Sequence, residues 1–146
     1  MKPVPHIAVS CVISAGIGIY FRSFWCAAIS FACGVLIDLD HLVDYYATHP
    51  PTLKLSDIYD ACAEVRLNKL YFLLHSYELI AAQWLAIYTF SLSNAWKAAA
   101  IGLTQHIIFD QLTNPVKPLA YFLTYRVYRK FDPYLLHREL ENKCRH

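Results

Sequence analysis

Charge is scarce in this chain. Only 16% of its residues are Asp, Glu, Lys or Arg, against 57% hydrophobic residues and a mean hydropathy of +0.31, a balance too apolar for an ordinary water-soluble domain. The net charge is +2, so bulk charge gives nucleic-acid binding no support. No two of the five cysteines (Cys11, Cys26, Cys33, Cys62, Cys144) form a Cys-x-x-Cys pair. That argues against a thiolate zinc site or a disulfide framework and leaves them as small buried hydrophobes. There is no internal repeat and no low-complexity tract, and no small-residue cleavage site follows the first apolar segment, which is expected to stay in place as an anchor. The length of 146 residues suits one domain.

The hydrophobic residues are gathered into long segments, which predicts an all-α, polytopic membrane bundle. The segments run from about Pro5 to Phe21, Ser23 to Ile37, Tyr71 to Leu92 and Ala95 to Leu112. Four spanning helices in two hairpins follow, with Arg22 at the first turn and Ser93-Asn94 at the second, where Asn94 is placed to cap the next helix. The first two are short for a hydrocarbon core of about 30 Å, which asks for about 20 residues. A single membrane domain then divides into a first hairpin (5–41), a cytoplasmic connection (42–70), a second hairpin (71–113) and a basic, aromatic tail (114–146). In the connection, His49-Pro50-Pro51 breaks the chain and Leu55 to Lys69 has the spacing of an amphipathic surface helix. In the tail, Leu119 to Phe131 carries Tyr121, Tyr125, Arg126, Tyr128, Arg129 and Lys130, which suits an interfacial helix, with the basic residues as anchors.

Within this topology eleven Lys and Arg residues fall on one side and two, Arg22 and Lys97, on the other. The positive-inside rule then puts both termini in the cytoplasm. The same topology brings His6, the Asp38-to-His41 cluster, His75, His106 and Asp110 to one level of the membrane. Ionisable groups at such depth are costly and point to function.

His106 and Asp110 lie one helical turn apart, a spacing that lets two side chains bind one ion. Asp38 and His41 share a face if the helix continues, and Asp40 joins them only if the backbone turns there. Asp44 extends that face or is merely solvated. Glu78 follows His75 by three residues, as a further ligand, a general base that activates water, or a partner for a basic residue of the bundle. His49, His137 and His146 sit in loop or tail settings and are read as surface residues. Carboxylate and imidazole without thiolate suit a divalent metal, zinc or manganese before iron, as one or two ions.

These residues also carry a resemblance. His6, the run Gly34-Val35-Leu36-Ile37-Asp38-Leu39-Asp40-His41, the pair His75-Ser76 and the span His106 to Asp110 are similar, in kind and order, to the motifs of the bacterial inner-membrane metal-dependent hydrolase family. The likeness covers roughly residues 5 to 115. Family members often have Pro before the Asp-x-Asp and Arg shortly before the His-Ser pair, where this chain has Ile37 and Leu73-Leu74. The resemblance implies a metal site more firmly than a substrate.

The expectation is therefore a membrane-embedded, metal-dependent hydrolase. Its metal set is His6, Asp38, Asp40, His41, His75, His106 and Asp110, with Glu78 as base. A lipid headgroup or lipid-linked phosphoester is the substrate class that meets a site at the cytoplasmic leaflet. The rival expectation is a non-catalytic scaffold or partner subunit with a structural metal, for which a closed ligand set would speak. A homo-oligomer or another membrane protein as partner fits either.

Overall fold

The computed structural model describes residues 3–47 and 69–137, together with 49, 50, 52, 54 and 58. The surface helix expected over 55–69 lies almost wholly outside these. Among the described residues the fold is all helical, with a single isolated bridge between Val116 and His137 and no strand. The helices are α1 (Pro3–Phe21), α2 (Phe24–Leu36), α3 (Asp40–Tyr46), α4 (Tyr77–Thr89), α5 (Asn94–Thr113), α6 (Leu123–Tyr128) and α7 (Pro133–Leu136). Short 3₁₀ turns fill Ile37–Leu39 and Pro118–Tyr121.

The two hairpins form as their turn residues require. Arg22 takes a left-handed φ of 49°, and the Ser23 hydroxyl accepts from the Cys26 amide at 3.3 Å to start α2. In the second turn Ser91 has a φ of 48°. Ser93, rather than Asn94, occupies the cap position, and Asn94 is the first helical residue.

Small residues let these helices approach closely. A Cβ on Gly102 of α5 would lie 2.3 Å from the Ser30 carbonyl oxygen of α2, and one on Gly34 would lie 2.5 Å from Gln105 Nε2. Polar side chains fill the seam: Ser10, Ser14 and Ser30 are buried, and Gln105 Nε2 donates to Ser10 Oγ at 2.9 Å. Large apolar residues face outward instead, among them Val12, Ile19, Tyr20, Phe24, Trp25 and Leu85. Buried apolar clusters such as Ile17 with Cys26 and Ala98 lie beside this seam, so apolar residues occupy both the interior and the surface of the bundle. Of the cysteines, Cys26 is buried as expected, whereas Cys11 is exposed on α1.

Two stretches, Val4–Phe21 and Phe24–Tyr46, are helical, long and apolar enough to cross a membrane, and most of each lies at the surface. The second hairpin differs from expectation. Its first helix has 13 residues, about 20 Å of helix, because residues 71–76 are not helical. Their backbone groups are claimed by side chains from elsewhere: Asp44 accepts from the amides of Tyr71 and Phe72, and Asp40 from Leu74. The helix starts only after this stretch, where Ser76 accepts from the Leu79 amide at 3.3 Å.

The tail is also not one interfacial helix. It breaks at Phe122, and Ala120, Tyr121 and Arg126 turn inward. Phe72, Leu70, Ala120 and Leu136 form a small core between tail and loop, closed by hydrogen bonds from the Leu70 amide to the Phe131 carbonyl and from the Lys117 amide to the Leu136 carbonyl, each 3.0 Å.

Candidate metal centre

All seven side chains expected to bind metal meet at one end of the bundle. His6 comes from the start of α1, Asp38 to His41 from the end of α2 and the start of α3, His75 from the loop before α4, and His106 with Asp110 from the C-terminal half of α5. The 3₁₀ turn at Ile37–Leu39 is the backbone turn that Asp40 needed. It tightens the chain between α2 and α3 so that Asp38 and Asp40 both point to His75.

Four donor atoms form the centre. His75 Nε2 lies 3.3 Å from His106 Nε2, 3.5 Å from Asp38 Oδ1 and 3.4 Å from Asp110 Oδ2. His106 Nε2 lies 3.3 Å from Asp38 Oδ1 and 3.5 Å from Asp110 Oδ2. These five distances are close to the edges of one tetrahedron, and the sixth pair, Asp38 with Asp110, lies within 4.8 Å. An edge is about 1.63 times the distance from centre to corner, so an ion at the middle would sit about 2.0–2.1 Å from each donor, an ordinary bond length to imidazole nitrogen and carboxylate oxygen.

The remaining polar atoms point those donors inward. His106 Nδ1 is 2.7 Å from the Gly34 carbonyl oxygen, which can only accept. The ring proton is therefore on Nδ1, and the Nε2 lone pair faces the centre. His75 is fixed in the same way by Asp40, whose Oδ2 lies 3.1 Å from Nδ1 and also accepts from the Leu74 amide at 2.8 Å. On Asp110, Oδ1 is held by His6 Nε2 at 3.2 Å and by Asn114 Nδ2 at 2.7 Å, leaving Oδ2 for the centre. His6 is additionally packed against the His106 ring, with centroids 4.7 Å apart. The expected set of seven thus divides: Asp38, His75, His106 and Asp110 converge on one point, His6 and Asp40 orient them, and His41 stands beside them with Nε2 3.9 Å from Asp38 Oδ1. Only Asp38 of the four is open to the outside, its side chain 33% exposed against 3% or less for the others.

Glu78 is not brought into the cluster. Both its oxygens are engaged by the tail: Oε2 accepts from the Leu123 amide at 2.9 Å, and Oε1 from the Thr124 amide and hydroxyl at 3.0 and 2.8 Å. It caps the N-terminus of α6, a position that suits a carboxylate.

Two residues of the site's frame were not singled out by sequence as structural. Asp44 is fully buried and holds the amides of Tyr71 and Phe72. Arg126, expected to be a surface anchor, is also fully buried. Its guanidinium donates to the carbonyls of Tyr71, Phe72 (2.5 Å) and His75 (3.2 Å) and lies 4.5 Å over the Phe72 ring. Burial lowers its pKa to about 10, which leaves it charged at neutral pH, with Asp40, Glu78 and Asp44 opposing the shift. The loop that carries His75 is therefore gripped on its amides by carboxylates and on its carbonyls by a guanidinium. A buried Arg within a basic, aromatic run has no local sequence mark.

Comparison of the chain with protein-family models, with curated proteins and with solved structures gave no match.

Proposed function

We propose that this protein is an integral membrane, metal-dependent hydrolase with its ion held by Asp38, His75, His106 and Asp110. The observation that carries the proposal is the tetrahedral spacing of four donors whose tautomers and free oxygens are already set by hydrogen bonds. Zinc fits the spacing and the ligand types best, with manganese next. The outward apolar faces of α1 and α2, with serines and histidines inside, support a membrane setting. Four helices then span, the site opens at the cytoplasmic leaflet of a bacterial inner membrane, and both termini are cytoplasmic, following the Lys and Arg imbalance.

A bound divalent ion lowers the pKa of water toward about 7 and offsets the charge of a phosphoester oxygen. The residues of this chain then do four things. Asp38, the exposed donor, is the one an incoming molecule reaches first. Asp40 keeps the His75 ring aimed, His6 fixes Asp110, and Arg126 holds the loop. The substrate class this supports is a lipid-linked or amphipathic phosphoester.

The test is elemental analysis of detergent-purified protein, wild type against a His106→Ala/Asp110→Ala variant, followed by assay of bis(p-nitrophenyl) phosphate and phospholipid. We expect stoichiometric metal and metal-dependent turnover in the wild type and neither in the variant. A wild type without metal after chelator-free purification would overturn the proposal.

One observation favours a second reading, a non-catalytic subunit with a structural metal: four protein donors already complete a tetrahedron. A cobalt-substituted protein whose electronic spectrum ignores added azide would support it. A spectrum that shifts supports the hydrolase.

A further inference from the structure

Three polar atoms at this end of the bundle are buried without a hydrogen-bond partner: Asp38 Oδ1, Asp40 Oδ1 and His41 Nε2. They belong to three residues of one short turn, and buried polar atoms in native proteins are as a rule paired. The ion described above accounts for Asp38 Oδ1 on one side only. Nothing so far accounts for the other two.

We infer that a second divalent ion binds beside the first, held by Asp40 Oδ1 and His41 Nε2 and bridged to it by Asp38 Oδ1. This rests on the reading of the first ion. The geometry accommodates it. His41 Nδ1 faces Asp44 Oδ2 at 4.0 Å, and Nε2 is turned toward Asp38. His41 Nε2 and Asp38 Oδ1 are 3.9 Å apart, so an ion about 2.1 Å from each joins them at a wide angle. Donor atoms of Asp40, His41 and His75 all lie within 4.8 Å of one another, which places Asp40 and His41 on the same pocket wall. Asp40 is buried, and it uses only Oδ2 for the His75 ring and the Leu74 amide. Its other oxygen is free to bind metal without releasing His75.

Charge points the same way. Four carboxylates, those of Asp38, Asp40, Asp44 and Asp110, gather at this end of the bundle, and the buried Arg126 guanidinium lies near enough to feel Asp40 and Asp44. With the carboxylates ionised and the imidazoles neutral, one divalent ion leaves the site net negative, which repels a phosphoester. Two ions make it net positive. A pair of ions about 3.5–4 Å apart is also the arrangement that clamps both the attacking and the leaving oxygen of a phosphoryl centre. The site therefore selects a phosphate ester over a neutral carboxylic ester.

The experiment is titration of metal-stripped, detergent-solubilised full-length protein with Mn²⁺, read by equilibrium dialysis and by electron paramagnetic resonance. Wild type is expected to bind two ions and, when saturated, to show the exchange-coupled spectrum of a manganese pair. His41→Ala is expected to keep one ion and to show an uncoupled spectrum; Asp40→Asn should lose the second ion and bind the first more weakly. Saturation of the wild type at one uncoupled ion overturns this inference and leaves the mononuclear proposal standing. Saturation at none overturns both. Two ions in His41→Ala would place the second ion elsewhere and overturn the assignment. The wild-type stoichiometry and spectrum decide the matter even where a variant fails to fold.

Discussion

The first hairpin and the loop-and-tail region are built on opposite principles. In α1 and α2 the backbone is continuous helix, paired along its length within itself, and the helices meet through glycine and serine with apolar residues outside. In residues 70–78 and 116–137 the backbone is irregular, and charged side chains satisfy it: Asp40 and Asp44 take amides of the loop, Arg126 takes its carbonyls, and Glu78 takes amides of the tail. Non-helical backbone at membrane depth is tolerated only where protein covers it and pairs its polar groups. The comparison teaches that part of the acidic cluster is scaffolding for the loop that carries His75.

The sharpest break of the comparison is Arg126→Ala. It strips three carbonyls of the His75 loop of their donor and removes the positive charge that favours the buried Asp44 carboxylate. We expect a loss of about 3–5 kcal/mol, read as a large drop in thermal midpoint in detergent. Arg129→Ala, whose guanidinium lies over the Tyr125 and Tyr128 rings at 5.3 Å and donates to the Tyr125 hydroxyl at 3.3 Å, should cost no more than about 1 kcal/mol. Equal effects would show that the buried clamp has no special weight. Next is Asp40→Asn, which should weaken the metal site about 10- to 100-fold, as loss of a carboxylate that orients a ligating histidine does; competition against a fluorescent chelator measures it.

On the hairpin side, Gly102→Ala forces a methyl onto the Ser30 carbonyl. A cost of about 1–3 kcal/mol is expected, visible in chemical unfolding. Glu78→Gln comes below it: a weakened cap should cost about 0.5–2 kcal/mol while turnover per folded molecule stays within twofold. A complete loss of turnover in a folded, metal-loaded Glu78→Gln protein would restore that residue as general base. Smallest of all, Val12→Ala on the exposed face of α1 should change stability in detergent by less than about 0.5 kcal/mol. A much larger loss would mean that this face is covered by protein.

The residues that cluster were legible in the sequence because they obey local rules. His106 and Asp110 are one turn apart, and the alternating ends of hydrophobic segments put His6, Asp38, His75 and Asp110 at one level. The turns at Arg22 and Ser93 were legible for the same reason. What escaped was decided by long-range partners. Leu73 and Leu74 extend an apolar run and look helical, yet Asp44 holds the amide of Tyr71 from 27 positions away. Arg126 looks like an interfacial anchor until its contacts 51 to 55 positions upstream are seen. Glu78 sits one turn from a ligand, and only the tail, 45 and 46 positions further on, shows what it does. Ser76 was the local clue to the true start of α4, since a serine ahead of a carboxylate-bearing first turn is a common helix start.

The carbonyl of Gly34 joins the two halves of this molecule at a single atom. It receives His106 Nδ1 at 2.7 Å and Ser10 Oγ at 3.5 Å, so the spacing of α1, α2 and α5 and the aim of a metal ligand share one oxygen. On the proposed reading, a bulkier residue in the seam, a thinner bilayer or a partner that wedges the hairpin would each reach a bound ion as a change in affinity. Metal occupancy would then serve as a strain gauge for the helices, and a series of bilayers of graded thickness would calibrate it.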